Sequence, residues 1–361
     1  MDRRSFLLKA GVAGAAASSL AAPAVAQGKK EMTIVSSWPR DFPGLGTSSQ
    51  RLAKRITELS EGRIEVQYYA AGERVGALDV FDDVASGNSQ AYITADYYWI
   101  GKHPSFAYFT AVPLGMTTPE WTAWMKYRGG QALYDELAGS FGLKNIACGS
   151  TSSQAGGWFT KEINSVDDLQ GLKMRIPGIG GTVMSKLGVS TVTLPGGQIY
   201  ENLVSGAIDA TEWVGPYNDY FMKFYEAAQY YYTGGLHEPS GTLTLGMNAD
   251  WWGSLSAWEQ AIVTAACNEE VLESHAESIA NNGTYLTKLV EEQGVKVRAF
   301  TDDVWDEFGY ATEETFEEVR QHSPLAAKID DSFQANLREL AGMMKNFETT
   351  FTVQRNRVLG L

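Results

Sequence analysis

The order of elements in this chain predicts an α/β protein built from two lobes, with a helical C-terminal part. Strand-like and helix-like stretches alternate from Glu31 onward, and the alternation starts again after Cys148. From Ser256 the pattern is helical to the end. The composition agrees: 361 residues with 44% hydrophobic and 12% aromatic side chains suffice for two domains with full cores and exclude a disordered tail protein. With 29 Lys plus Arg against 43 Asp plus Glu, the formal charge of −14 opposes polyanionic partners, so no nucleic-acid partner is expected.

Residues 1–26 are set aside as an export signal. Arg3-Arg4, an Ala/Gly/Leu-rich stretch to Ala22 and Ala24-Val25-Ala26 before Gln27 are similar to a twin-arginine signal with a small-x-small cleavage site. A spanning helix is the alternative, but it needs about 20 strongly apolar residues. Export permits a disulfide between Cys148 and Cys267. Cys148 ends a strand and Cys267 lies inside a helical pattern, so two separate buried thiols are expected, and no Cys-x-x-Cys pair suggests zinc.

In the first lobe, Met32 to Ser36 reads as a strand and Ser48 to Leu59 as an amphipathic helix closing at Gly62. Arg63 to Tyr69 is a second strand, Leu78 to Ala85 a short helix closing at Gly87, and Ala91 to Thr94 a third strand. This βαβαβ order implies a parallel sheet. A helix over Glu120 to Ala138 and a strand from Leu143 to Cys148 follow. In the second lobe, Ser165 and Asp168 form a capping box before the strand Lys173 to Ile176. A glycine-rich loop over 177–181, a helix to Leu187, the strand Ser190 to Leu194, the helix Gln198 to Val204 and the strand Ala207 to Thr211 complete it. Ser256 with Glu259 is another capping box, opening a helical pattern through Trp258, Ile262, Val271, Ile279, Leu286 and Leu289 that stops at Gly294. After acidic residues between Asp302 and Glu318, a last helix carries Phe333, Leu337, Leu340, Met344, Phe347 and Phe351 in a stripe suited to packing on the protein's own core or on a second copy.

Each lobe has a helix that stops at Ser-Gly and feeds a strand: Ser86-Gly87 into Ala91–Thr94, and Ser205-Gly206 into Ala207–Thr211. Ligands of open parallel sheets lie outside the carboxyl ends of strands, so Asp96-Tyr97-Tyr98-Trp99 and Glu212-Trp213 are expected at two facing mouths.

Signatures of catalysis are absent. The chain has no Gly-x-Ser-x-Gly elbow, no phosphate loop and no His-Glu-x-x-His, and its four histidines are scattered. Gly178-Ile179-Gly180-Gly181 falls short of a dinucleotide fingerprint because position 183 is Val183, which leaves a tight strand-to-helix turn. Arg175, between apolar Met174 and Ile176 at a strand end, suits one carboxylate through its bidentate fork; the alternative is a strand arginine paired with a local acid. Glu212 is a general base, a cation ligand or a solvated acid. With no nucleophile nearby, the cation is favoured, with oxygen ligands from Gln154, Glu238 and the Trp213 carbonyl. The aromatics around Tyr98, Trp99 and Trp213 fill cores or wall a small pocket.

The stretch Ser165-Val166-Asp167-Asp168-Leu169-Gln170-Gly171-Leu172-Lys173-Met174-Arg175-Ile176-Pro177, with Leu187-Gly188 and then Ile199 to Ala210, resembles the core signature of the solute-binding proteins of tripartite ATP-independent periplasmic (TRAP) transporters, the DctP-like family. The resemblance implies a two-lobe periplasmic-binding-protein-like fold with a hinge, and one long helix across both lobes. It divides the chain into lobe I over 27–150, lobe II over 151–238, a return strand and the long helix over 239–294, and a C-terminal helical region over 295–361. It implies that Arg175 holds the ligand carboxylate. Ser152 to Phe159 and Thr211 to Pro216 are similar to the TakP-like subgroup, which binds 2-oxo acids such as pyruvate, or lactate, with a cation. Carried across, Gln154, Glu212, the Trp213 carbonyl and Glu238 hold Na⁺ or Ca²⁺, which bridges to the substrate carboxylate, while Gln154, Tyr98, Trp99 and Trp213 line the substrate site. The chain departs from the family in Asp209-Ala210-Thr211-Glu212, where Asp-Gly is common, and in its longer C-terminal region, which implies a homodimer through those helices.

The expectation is therefore a periplasmic receptor that hands a small monocarboxylate to the membrane permease subunits of a TRAP transporter. The rival is a secreted metal-dependent enzyme acting on a carbonyl acid with Glu212 as base.

Overall fold

The computed structural model describes residues 28–361, so the expected export signal lies outside the described residues. Lobe I begins with β1 (Lys30–Ser36), β2 (Ile64–Tyr69), β3 (Ala91–Thr94) and β4 (Leu143–Ser150). The chain then crosses to lobe II for β5 (Gly157–Phe159), β6 (Lys173–Arg175), β7 (Ser190–Val192), β8 (Ala210–Thr211) and β9 (Tyr230–Thr233). β10 (Thr242–Asn248) returns to lobe I, and β11 (Lys296–Ala299) belongs to lobe II. The sheets run β2-β1-β3-β10-β4 and β11-β9-β5-β8-β6-β7.

The parallel pairs inferred from the alternation are present, β1 with β2 and β3, and β6 with β7 and β8. The sheets are nevertheless mixed. β10 is antiparallel to both β3 and β4, and β5 is antiparallel to β8 and β9. A chain that crosses between lobes and back reverses direction, so each crossing strand enters its sheet antiparallel. The two crossing segments are tied together where they leave lobe I: the Thr151 N–H donates to the Gly241 carbonyl at 2.9 Å, and the Gly241 N–H to Thr151 Oγ1 at 2.9 Å.

The helix expected over 120–138 is two helices, Thr118–Tyr127 and Gly130–Gly139, parted by Gly129 in the left-handed region (φ 87°). The strand expected from Ala207 shrinks to Ala210–Thr211. The long helix spans Ala257–Glu291, opened by the Ser256/Glu259 capping box, and packs on β4, on the lobe I helix Leu45–Leu59 and on the lobe II helix Pro216–Met222. At 1.5 Å per residue it is about 50 Å long, enough to run along both lobes. Its buried stripe is Glu259, Val263, Ala266, Cys267, Glu270, Ser274 and Ser278, whereas Trp258 and Ile279 face solvent. Small and polar residues face inward because this helix lies close against β4, where Ser274 Oγ accepts the Ser150 N–H at 2.9 Å, and because Glu270 is met by Arg51 at 2.6 Å.

The region 295–361 does not form a separate helical unit. β11 pairs with β9, the helix Asp302–His322 packs on the lobe II helix Gly178–Lys186, and the helix Pro324–Met344 packs on the lobe I pair Thr118–Tyr127 and Gly130–Gly139. Phe333 packs between Trp124 and Tyr108. The apolar stripe of the last helix divides: Phe333 and Leu340 are buried, while Phe347, within a π-turn at Lys345–Thr349, and Phe351, beyond it, are 69% and 63% exposed. Both cysteines are buried and free. Among the described residues no helix is long and apolar enough to cross a membrane.

Candidate functional site

Three sets of backbone converge between the lobes. Strand ends of lobe I deliver Trp38 after β1 and Tyr97 and Tyr98 after β3. Strand ends of lobe II deliver Arg175 at the end of β6 and Glu212-Trp213 after β8. The crossing segments deliver Gln154 from one side and His237 and Glu238 from the other. The lobes are shut over these groups, and the space left among Trp38, Tyr97, Tyr98, Gln154, Trp213 and Glu238 is about 10 Å³, room for about one water molecule.

Arg175 is fully buried, and each nitrogen of its guanidinium has a partner. Nε donates to the Leu194 carbonyl at 3.2 Å, Nη2 to the Tyr98 hydroxyl at 3.3 Å, and Nη1 to Glu212 Oε1 and, at 3.4 Å, the Glu212 carbonyl. Its Cζ lies 5.4 Å from the centroid of the Trp213 ring, a cation–π contact in a dry setting. A buried guanidinium survives because it is paired and hydrogen-bonded. Tyr98 belongs to lobe I and Arg175 to lobe II, so this contact also joins the lobes.

The acceptor side is rich in unused oxygen. Glu212 Oε2 and Gln154 Oε1 are buried with no hydrogen-bond partner, and so is His237 Nε2, which lies 3.5 Å from Glu212 Oε2. Gln154 Nε2 donates to Glu238 Oε1 at 2.8 Å and to Thr151 Oγ1 at 2.9 Å. Burial, and then the neighbouring Glu212 charge, push the Glu238 carboxyl well above the usual carboxylate range. Potential ligand atoms of Glu212, His237 and Glu238 lie within 4.8 Å of one another. Two carboxylates, an amide oxygen and the Trp213 carbonyl make a donor set that fits a hard cation such as Na⁺ or Ca²⁺. Close packing shapes this pocket: a Cβ on Gly241 would lie 2.4 Å from Glu238 Oε1 and 2.9 Å from Gln154 Nε2, so a larger residue there would displace both groups.

The structure thus brings together Arg175, Gln154, Glu212, Trp213, Glu238 and Tyr98, and it does not bring Trp99 with them. The turn Asp96–Trp99 is a 3₁₀ helix, in which residues three apart share a face. Tyr97 and Tyr98 therefore face the cleft, while Asp96 and Trp99, also expected at the mouth, turn into lobe I. Trp99 packs on Phe81 and Tyr92, and Asp96 accepts from Tyr134 at 2.5 Å and Asn145 at 2.7 Å. The glycine-rich loop is a packing device: Gly178 has φ 67°, and a Cβ there would meet Tyr97 at 3.2 Å, across the lobes. Trp38, Thr151 and His237 escaped the reading of the sequence. Trp38 stands just past the carboxyl end of β1, so the strand-end rule points to it, and His237 directly precedes Glu238.

The chain is similar to proteins already known. Residues 34–322 match the family described as DctP, bacterial extracellular solute-binding protein, family 7. The chain is 39% identical over 307 residues, 85% of this chain and 84% of the relative, to a monocarboxylate 2-oxoacid-binding periplasmic protein of Nostoc sp. strain PCC 7120. Its structure is similar to a TRAP periplasmic solute-binding protein of Pseudoalteromonas atlantica T6c with bound sodium and pyruvate (TM-score 0.87, 38% identity, 90% of this chain and 98% of that one). It is also similar to a TRAP transporter solute-binding protein of Bordetella bronchiseptica RB50, a mixed-occupancy dimer with copurified calcium and picolinate (TM-score 0.90, 32% identity, 92% and 99%).

Proposed function

Because the chain belongs to the DctP family of bacterial extracellular solute-binding proteins, we propose that it is the periplasmic receptor of a TRAP transporter, binding a small 2-oxo or 2-hydroxy monocarboxylate such as pyruvate or lactate together with Na⁺ or Ca²⁺. The family is one of receptors, and the rival reading of Glu212 as the base of an enzyme has no support in the relatives. The observation that carries the proposal is the pairing of a fully buried Arg175 with oxygen ligands that have no hydrogen-bond partner.

In this reading Arg175 takes the ligand carboxylate in its fork, with Tyr98 and Trp213 walling the pocket. Gln154, Glu212, the Trp213 carbonyl and Glu238 hold the cation, which supplies positive charge to the carboxylate and its neighbouring oxygen. Lobe I contributes Tyr98 and lobe II Arg175, so a ligand touching both favours the closed state through contacts the open state lacks. The loaded receptor is then delivered to the membrane permease subunits, after export by the twin-arginine-type signal. The exposed Phe347 and Phe351 support a homodimer through the C-terminal helices.

Calorimetric titration of pyruvate into the purified protein tests this, with Na⁺, with Ca²⁺ and after chelation in Na⁺-free buffer. Binding that weakens when both cations are removed is expected. Arg175→Ala should lose at least about 100-fold in affinity, since a buried carboxylate without its partner costs about 3–5 kcal/mol. Wild-type affinity in Arg175→Ala would sink the carboxylate role, and conversion of pyruvate to a product by mass spectrometry would revive the enzyme.

A further inference from the structure

Asp219 stands outside the ligand shell but directly behind it. It lies on the lobe II helix Pro216–Met222 and is buried. Its Oδ1 accepts the Val214 N–H at 3.1 Å, and its Oδ2 accepts from Trp158 Nε1 at 3.0 Å and from the Tyr231 hydroxyl at 2.9 Å. The Val214 N–H and the Trp213 carbonyl belong to one peptide unit. Every peptide bond among the described residues is trans, and in a planar trans unit the N–H and C=O point in opposite directions. Holding the N–H on Asp219 therefore points the Trp213 carbonyl away from Asp219. The following carbonyl, of Val214, is fixed as well, accepting from the Ala155 N–H at 2.9 Å. Among the described residues no N–H or O–H donates to the Trp213 carbonyl, although Trp213 is buried. A buried carbonyl held in place and left without a donor is suited to ligating a cation.

We propose that Asp219 is a positioning residue for cation binding: by clamping the Val214 N–H it aims the Trp213 carbonyl at the cation. The inference rests on the cation reading of the site given above. Outer partners that orient a metal's ligands typically change affinity 10–100-fold when removed, although they touch no metal.

The test is calcium titrated calorimetrically at saturating pyruvate, and pyruvate titrated at saturating calcium, for the wild type, Asp219→Ala and Asp219→Asn. Asp219→Ala should weaken calcium by about 10–100-fold, while Asp219→Asn, whose side-chain oxygen still accepts from Val214, should stay within about fivefold of the wild type. With calcium saturating, pyruvate affinity should be the same in all three. If the alanine variant does not fold, Asp219→Ser, too short to reach the N–H, takes its place. The proposal is overturned if calcium affinity is unchanged in the alanine or serine variant. It is equally overturned if asparagine falls as far as alanine, or if pyruvate affinity drops at saturating calcium, which marks general damage to the lobe. A wild type that binds pyruvate without regard to any cation would bring down the cation reading and this inference together, whereas a calcium-dependent wild type with an indifferent Asp219→Ala brings down this inference alone.

Discussion

Asp96 and Asp219 are carboxyl groups sealed inside opposite lobes, and burial pushes both up to about 7. An unfolded aspartate titrates near 4, so between about pH 4 and pH 7 the native state holds protons that the unfolded state has released. Stability contributed this way is present at acid pH, declines as pH rises through that window, and is flat above it. Each group contributes a slope of up to about 1.4 kcal/mol per pH unit. Asp96→Asn should flatten the pH dependence of the urea midpoint between pH 4.5 and 7, and an unchanged slope would show that Asp96 is ionised throughout. At this scale the sequence was legible where a residue closes a regular strand, as with Arg175 after Met174, and Glu212-Trp213 after Thr211. Gln154 and Glu238 sit in irregular crossing segments without periodicity, so the residues alone offered them only as available oxygen ligands, and it was the resemblance to a family that gave them a place in the site. Trp99 went astray because a 3₁₀ turn, unlike a strand, sends neighbours in directions that alternation does not foretell.

Among the elements, the lobe II helix Pro216–Met222 has neighbours on several sides. Asn218 Nδ2 donates to the Pro43 carbonyl of lobe I at 2.5 Å, and the Tyr217 N–H donates to Asn282 Oδ1 of the long helix at 3.0 Å. The first of these bonds joins the lobes and belongs to the closed state. Asn218→Ala should weaken pyruvate about fivefold, from the loss of about 1 kcal/mol, and mainly through faster release. Stopped-flow displacement checks it, and an unchanged off-rate would mean the bond plays no part in closure. Helices that begin at a capping box or stop at Ser-Gly were readable, because their signals are local: Ser256 with Glu259, Ser86-Gly87, Ser205-Gly206. The antiparallel insertions of β5 and β10 were not, since their partners are remote in sequence and nothing in three or seven residues encodes the direction of a neighbour.

For the molecule as a whole, the C-terminal stripe shows how one periodicity serves two ends. Phe333 and Leu340 belong to the same three- and four-residue repeat as Phe347 and Phe351, yet the first pair is inside and the second outside. Amphipathic spacing says that a face will be covered, not by whose surface. If the chain pairs through these helices as proposed, the full chain should sediment as a dimer and a chain ended after Met344 as a monomer with unchanged pyruvate affinity, whereas a monomeric full chain or a truncated chain that still dimerises would overturn that pairing.

The two thiols have a consequence of another kind. Cys148 on β4 and Cys267 on the long helix face the same seam, and burial raises both far above the range where a thiolate forms. An oxidising compartment therefore meets no accessible thiol on the folded chain. The same pair serves as a seal: an alkylating reagent can mark either sulfur only after the long helix has lifted from its sheet, so the rate of marking is a clock for that lifting, silent to any motion of the lobes that leaves the helix seated.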